Sequence, residues 1–208
     1  MTASRYPVPV ATHRVDEEIK RSRFITTISH VESVSEAQSF IQSVREASAD
    51  ATHHCWAYVI GPPGSTAQVG MSDDGEPHGT AGRPMLNMLL HSGVGDVGVV
   101  VTRYYGGTKL GTGGLMRAYS GGVRLALDTM PRSERIAYVH LTLRVEYAKV
   151  TAVEQLCPSF EAEIDARRYD VDAAFDVRLP DTREEGFRQA VLDLTRGQAR
   201  FEDARPGV

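Results

Sequence analysis

The sequence predicts an α+β chain of two domains, an α/β domain over residues 1–133 and a ferredoxin-like βαββαβ domain over residues 134–208. Three observations lead there. Segments of strand and helix period alternate through the first part, and the short polar stretch from Met130 to Arg135 interrupts them. The remainder then follows the order strand, helix, strand, strand, helix, strand. With 208 residues, of which 41% are apolar, the chain can fill a packed core without staples.

Phe24 to His30 (FITTISH) alternates with β-branched residues and reads as a strand, and Ser33 or Ser35 can cap a helix carrying Ala37, Phe40, Ile41 and Val44. Cys55 to Ile60 (CWAYVI) reads as the next strand. Gly61-Pro62-Pro63-Gly64 closes it, and Gln68 to Met71 returns as a hairpin partner. Thr80 is placed to cap a helix through Met85, Leu86, Met88, Leu89 and Leu90, ended by Gly93. Val97 to Thr102 (VGVVVT) is continuously apolar, as expected of a central strand covered on both faces. Thr112 is placed to cap the following helix, with Leu115, Met116, Tyr119, Val123, Leu125 and Leu127 as its apolar positions.

Beyond the polar stretch, Ile136 to Val145 reads as a strand and Tyr147 to Leu156 as a helix stopped by Pro158. Phe160 to Arg167 and Val171 to Arg178 read as two strands about a turn at Tyr169-Asp170. A helix capped by Asp181 or Thr182 runs through Phe187, Ala190, Val191 and Leu194, and Ala199 to Glu202 closes the order as a strand. No internal repeat or low-complexity segment is evident.

Cys55 and Cys157 stand alone, which argues against a disulfide framework or a zinc ribbon and suits a reducing, cytoplasmic setting. There is no apolar leader and no run of eighteen apolar residues, so neither secretion nor a membrane partner is expected. The net charge of −4 would count against a nucleic-acid partner if it were uniform. It is not: residues 1–135 hold 13 basic and 13 acidic side chains, and residues 136–208 hold 10 and 14. Between Arg83 and Arg132 there are six basic residues against Asp96 and Asp128. A positive surface is therefore expected in the first domain, whereas the acidic second domain argues against RNA contact there.

The segment Val99 to Ala118 (VVVTRYYGGTKLGTGGLMRA) ends a strand in a basic glycine-rich loop and opens a helix. Gly106, Gly107, Gly111 and Gly113, with Gly114, permit close backbone approach, while Arg103, Lys109 and Arg117 supply charge. A helix start adds exposed amides, so phosphate or another anion is a suitable occupant. Tyr104 and Tyr105 offer rings for stacking on a base. The segment departs from both the G-x-x-x-x-G-K-[ST] loop and the dinucleotide fingerprint, so a nucleotide hydrolase loses its main support and no cofactor is expected. Tight strand-to-helix packing is the alternative reason for the glycines.

A second motif, Ser72 to Pro84 (SDDGEPHGTAGRP), gathers Asp73, Asp74 and Glu76 around Gly75. These carboxylates suit acid–base work, and they are weak candidates for a divalent cation in a chain where no metal is expected. The reading favoured over these is a turn at Asp73-Asp74-Gly75 whose carboxylates cap the helix after Thr80 or pair with Arg83. His53 and His54 should face opposite sides of their strand, bringing one toward this motif. Cys55 lacks a base partner for thiolate chemistry, and Ser120 in AYSGG is not a G-x-S-x-G nucleophile.

Ser22-Arg23-Phe24, His53-His54-Cys55, SDDGEP from Ser72, GTAGRP from Gly79 and RYYGGTKLGTGGL from Arg103 occur in this order. They resemble the signature blocks of the YigZ/IMPACT family over about the first 130 residues. The departures are small, with Tyr105 where many members have Phe and His78 where a small residue is common. The resemblance implies a first domain like that of a ribosomal small-subunit protein and the fourth domain of elongation factor G. It also implies a ferredoxin-like second domain like that factor's fifth. Eukaryotic relatives compete for an activator of a starvation-responsive kinase through an added N-terminal domain, a role not expected of this chain.

The expectation is a translation-associated module that binds RNA or a ribosome-associated partner through Arg23, Arg83, Arg103, Tyr104, Lys109 and the glycines 106, 107, 111 and 113. The alternative is an enzyme in which His54, Asp73, Asp74 and Glu76 act on a phosphorylated or other anionic substrate.

Overall fold

The computed structural model describes residues 5–203, so the first four and last five positions of the expected domains lie outside the described residues. The chain is an α+β protein that divides into two compact units, residues 1–135 and 136–208.

In the first unit the strands are β1 (Arg5–Pro9), β2 (His13–Ile19), β3 (Ser22–His30), β4 (His53–Ile60), β5 (Gln68–Ser72), β6 (Val97–Tyr104) and β7 (Arg132–Ile136). The helices are α1 (Val34–Ala47), α2 (Gly82–Leu90) and α3 (Thr112–Thr129). A five-stranded sheet in the order β2-β3-β6-β4-β5 pairs antiparallel throughout. On one face Val99 and Val101 of β6 pack with Met85 and Leu89 of α2 and Leu115, Tyr119 and Val123 of α3. On the other, Val100 packs with Ala37 and Ile41 of α1. The unbroken apolar character of β6 thus reflects helices on both faces of an antiparallel sheet, and every residue from Val97 to Arg103 is buried.

Two strands carried no apolar signal. β2, HRVDEEI, lies at a sheet edge with four charged residues among its seven. The polar stretch expected as a linker contains β7, which forms a two-stranded sheet with β1 and is tied to it by the Arg5–Glu134 ion pair. Ser33 caps α1 as expected, its Oγ accepting from Glu36 N. Thr80 and Thr112 do not cap their helices. The N-caps are Ala81 and Gly111, and the Thr80 hydroxyl instead donates to the Pro77 carbonyl at 2.6 Å.

The second unit comprises β8 (Tyr138–Val145), α4 (Val150–Leu156), β9 (Glu163–Tyr169), β10 (Ala173–Pro180), α5 (Glu184–Thr195) and β11 (Arg200–Asp203). Its sheet order β11-β8-β10-β9, with antiparallel pairing, is the ferredoxin-like βαββαβ arrangement. Leu141, Leu143, Phe175, Leu179, Phe187 and Val191 form its core. β9 starts later than expected because Cys157–Phe160 is a 3-10 turn closed by Glu161 in the left-handed region. A further 3-10 turn, Asp181–Arg183, leads into α5, and no side chain caps that helix. Arg168 pairs with Asp176, Arg178 with Glu163, and Arg144 with Glu202, so much of this unit's positive charge is neutralised within it. No helix among the described residues is long and apolar enough to cross a membrane.

Candidate functional site

β6 delivers Arg103 to the end of the sheet, where the chain enters the glycine loop. Arg103 is only 4% exposed, because its guanidinium lies between the rings of Phe24 (5.3 Å) and Tyr105 (5.4 Å). Its Nη1 donates to Glu76 Oε1 at 2.5 Å, and its Nη2 lies 3.4 Å from Ser22 Oγ. Tyr119 of α3 donates its hydroxyl to the same Glu76 oxygen at 2.8 Å. Burial pushes the Tyr119 hydroxyl far above its ordinary pKa, so it remains a donor at any physiological pH. The glycine loop and the acidic turn are thereby joined by a buried ion pair.

The three carboxylates of the acidic turn diverge. Asp73 accepts from the backbone amides of Gly79 (2.7 Å), Ala81 (3.0 Å) and Gly82 (2.8 Å), so its carboxylate satisfies amides at the start of α2 from outside the helix, where the N-cap residue Ala81 has no polar side chain to do so. Asp74 takes Arg45 at 2.7 Å and the His54 amide at 2.6 Å. Glu76 turns inward to Arg103 and Tyr119. Among the described residues no group of three or more His, Cys, Asp and Glu side chains is placed to hold a metal ion.

The acid–base set of His54, Asp73, Asp74 and Glu76 does not meet at a common free point. The His54 ring is turned away, its Nε2 donating to the Ser48 carbonyl at 3.1 Å. His53 is the histidine that lines the groove described below, and its Nδ1 donates to the Asp74 carbonyl at 2.8 Å. A carbonyl can only accept, which fixes the proton on that nitrogen. Alternation along the strand foretold the opposed rings but not which faced the groove.

The groove, about 500 Å³ in volume, runs between the acidic turn and the start of α3. His53, Pro77, Tyr105, Lys109, Leu110 and Leu115 are among its walls. Gly111 begins α3 at φ +72°, with no side-chain cap and no acidic residue in the first turn. The first intrahelical bond is donated by Leu115 to the Gly111 carbonyl at 2.9 Å. The amides of Thr112, Gly113 and Gly114 precede it and so have no partner within the helix. A Cβ at Gly113 would meet nothing within 4 Å, so packing does not explain that glycine. At Gly106 packing does: a Cβ there would lie 1.9 Å from the Arg21 carbonyl oxygen.

The expected cations separate into engaged and free. Arg103 is buried against Glu76, Arg23 pairs with Asp16, and the Tyr104 hydroxyl donates to Asp50 at 3.1 Å. Arg83 and Lys109 are exposed and make no ion pair among the described residues. Gly107, at φ +82°, turns the loop beside Lys109 in open space. Lys20 and Arg21, in the β2–β3 turn against which Gly106 packs, were not singled out by the sequence. Their position directly before Ser22-Arg23-Phe24 was the available signal.

Fold and site together define a two-domain α+β protein in which a glycine loop and an acidic turn form one groove. Residues 20–127 match the Impact N-terminal domain, and residues 143–198 match a domain of unknown function, DUF1949. The chain belongs to the IMPACT family. It is 44% identical to the IMPACT family member YigZ of Escherichia coli (strain K12), over 91% of this chain and 93% of that protein. It is 35% identical to the IMPACT family member YvyE of Bacillus subtilis (strain 168), over 89% of this chain and 84% of the relative. A crystal structure of a hypothetical protein, 41% identical, matches with a TM-score of 0.66 and full coverage of both chains.

Proposed function

We propose that the first unit is a translation-associated binding module that receives the phosphate backbone of RNA, free or on a ribonucleoprotein, at the start of α3. One observation carries this reading. An 18-residue helix opens into the groove with no side-chain cap and no first-turn acid, while the unpaired Lys109 lines the same groove. Unsatisfied amides at a helix start favour an anion by about 0.3–1 kcal/mol each site, and an added lysine raises that attraction. Tyr105 supports RNA over a bare anion: 46% of its surface is exposed, and Arg103 backs one side of the ring. Glu76 does not oppose the ligand's charge because Arg103 already neutralises it.

The test is a titration of labelled single-stranded RNA with the full chain across a range of salt concentrations. Binding that weakens steeply with salt supports the reading, and the absence of binding at low salt overturns it.

A further inference from the structure

A second hollow, of about 180 Å³, lies beside the first and is lined by Ile19, Lys20, Leu110, Gly114, Arg117 and Ala118. Leu110 belongs to both, standing between Lys109 on one side and Lys20 with Arg117 on the other. Apart from the neutralised Glu76, no acidic residue lines either hollow. Lys20 and Arg117 are exposed and, like Lys109, form no ion pair among the described residues. This leaves three cations facing adjacent hollows.

The arrangement is fixed by the backbone. Lys20 and Arg21 form the β2–β3 turn at φ +49° and +66°. That turn is pressed against the glycine loop at Gly106, where no side chain fits, and Ser22 Oγ accepts from the Gly106 amide at 3.1 Å. Lys20 is therefore held on the loop rather than carried on an independent hairpin.

We propose that Lys20 and Arg117 form a second phosphate subsite next to that of Lys109, so that the ligand is a single-stranded RNA laying consecutive phosphates across Leu110. The inference rests on the RNA-binding reading above and narrows it: a strand, rather than a mononucleotide or an isolated phosphate, fills both hollows. A single strand also leaves base faces free for Tyr105, which a duplex would conceal.

The experiment compares an oligouridylate of about ten nucleotides with uridine monophosphate as competitor, using the full chain and its variants Lys109→Ala, Lys20→Ala and Arg117→Ala. Lys109→Ala is expected to weaken both ligands. Lys20→Ala and Arg117→Ala are each expected to weaken only the oligonucleotide, and to make its logarithmic salt dependence shallower by roughly 0.7. If they leave oligonucleotide binding unchanged while Lys109→Ala weakens it, the second subsite is overturned and the RNA-binding reading stands. If the oligonucleotide does not bind, or all three variants bind as the parent does, both are overturned. All three side chains are exposed, and unchanged thermal unfolding of each variant verifies that folding is not the cause.

Discussion

Arg103 and Glu76 neutralise each other inside the first unit, Nη1 to Oε1 at 2.5 Å with 5% and 4% of their side chains exposed. They belong to the two motifs that bound the groove, so this contact fixes the glycine loop relative to the acidic turn. It also commits the guanidinium of Arg103 to the protein, which leaves Lys109 as the cation of the loop without an ion pair among the described residues.

Removing one partner of such a pair strands the other charge in a buried site, at a cost of about 3–5 kcal/mol. Glu76→Ala is therefore expected to lose stability in that range in urea unfolding, a larger effect than truncation of an exposed pair such as Arg23–Asp16. A loss below about 1 kcal/mol would show that the pair does not hold the motifs together.

Asp73 contributes to the acid limb of stability, alongside Asp16, Asp96 and Asp176, whose carboxyls are also held below the ordinary value. Burial alone would raise the Asp73 pKa, but the amides of Gly79, Gly82 and Ala81 outweigh this and hold it below the ordinary 3.8. A depressed folded-state pKa gives stability that is complete above the unfolded value and disappears as pH falls through the folded one. Asp73→Ala is expected to cost about 1–2 kcal/mol at neutral pH. Its unfolding midpoint should also fall less than the parent's between neutral pH and pH values below 3.8. Parallel pH profiles for the two proteins would remove Asp73 from this role.

Two glycines of the loop separate packing from binding. Gly106→Ala brings a Cβ to 1.9 Å from the Arg21 carbonyl and should destabilise the unit and displace the β2–β3 turn. Gly113→Ala has open space in the first turn of α3 and should raise the melting temperature slightly, by up to about 1 kcal/mol of stability. Reduced RNA affinity in the stabilised Gly113→Ala protein would mark that glycine as a point of close ligand approach. Unchanged affinity would place the ligand elsewhere.

Burial pushes the Cys55 thiol up to about 12, and the Cys157 thiol is also raised. Both are buried, so a thiol reagent at neutral pH should label the native chain far more slowly than the unfolded one. Rapid native labelling of either would contradict the packing described.

The sheet's interior strands were legible because Phe24 to His30 and Val97 to Thr102 carry β-branched residues in an apolar setting. β2 and β7 were not, since HRVDEEI and RSERI owe their conformation to pairing with neighbours rather than to composition. The glycine loop and the acidic turn were legible as motifs. Their internal assignments were hidden because they depend on contacts far apart in sequence: Arg103 meets Glu76, and Gly106 meets Arg21. The capping of α2 from the acidic turn was legible at short range, and the structure assigns it to Asp73; the pairing with Arg83 offered beside it is not made among the described residues.

The most direct measurement is the salt dependence of single-stranded RNA binding by the parent and by Lys109→Ala. The parent should bind at low salt with affinity falling steeply as salt rises, and Lys109→Ala should bind more weakly with a logarithmic slope shallower by roughly 0.7. Identical slopes for the two proteins, or no binding by the parent at low salt, would contradict an RNA phosphate site at the start of α3.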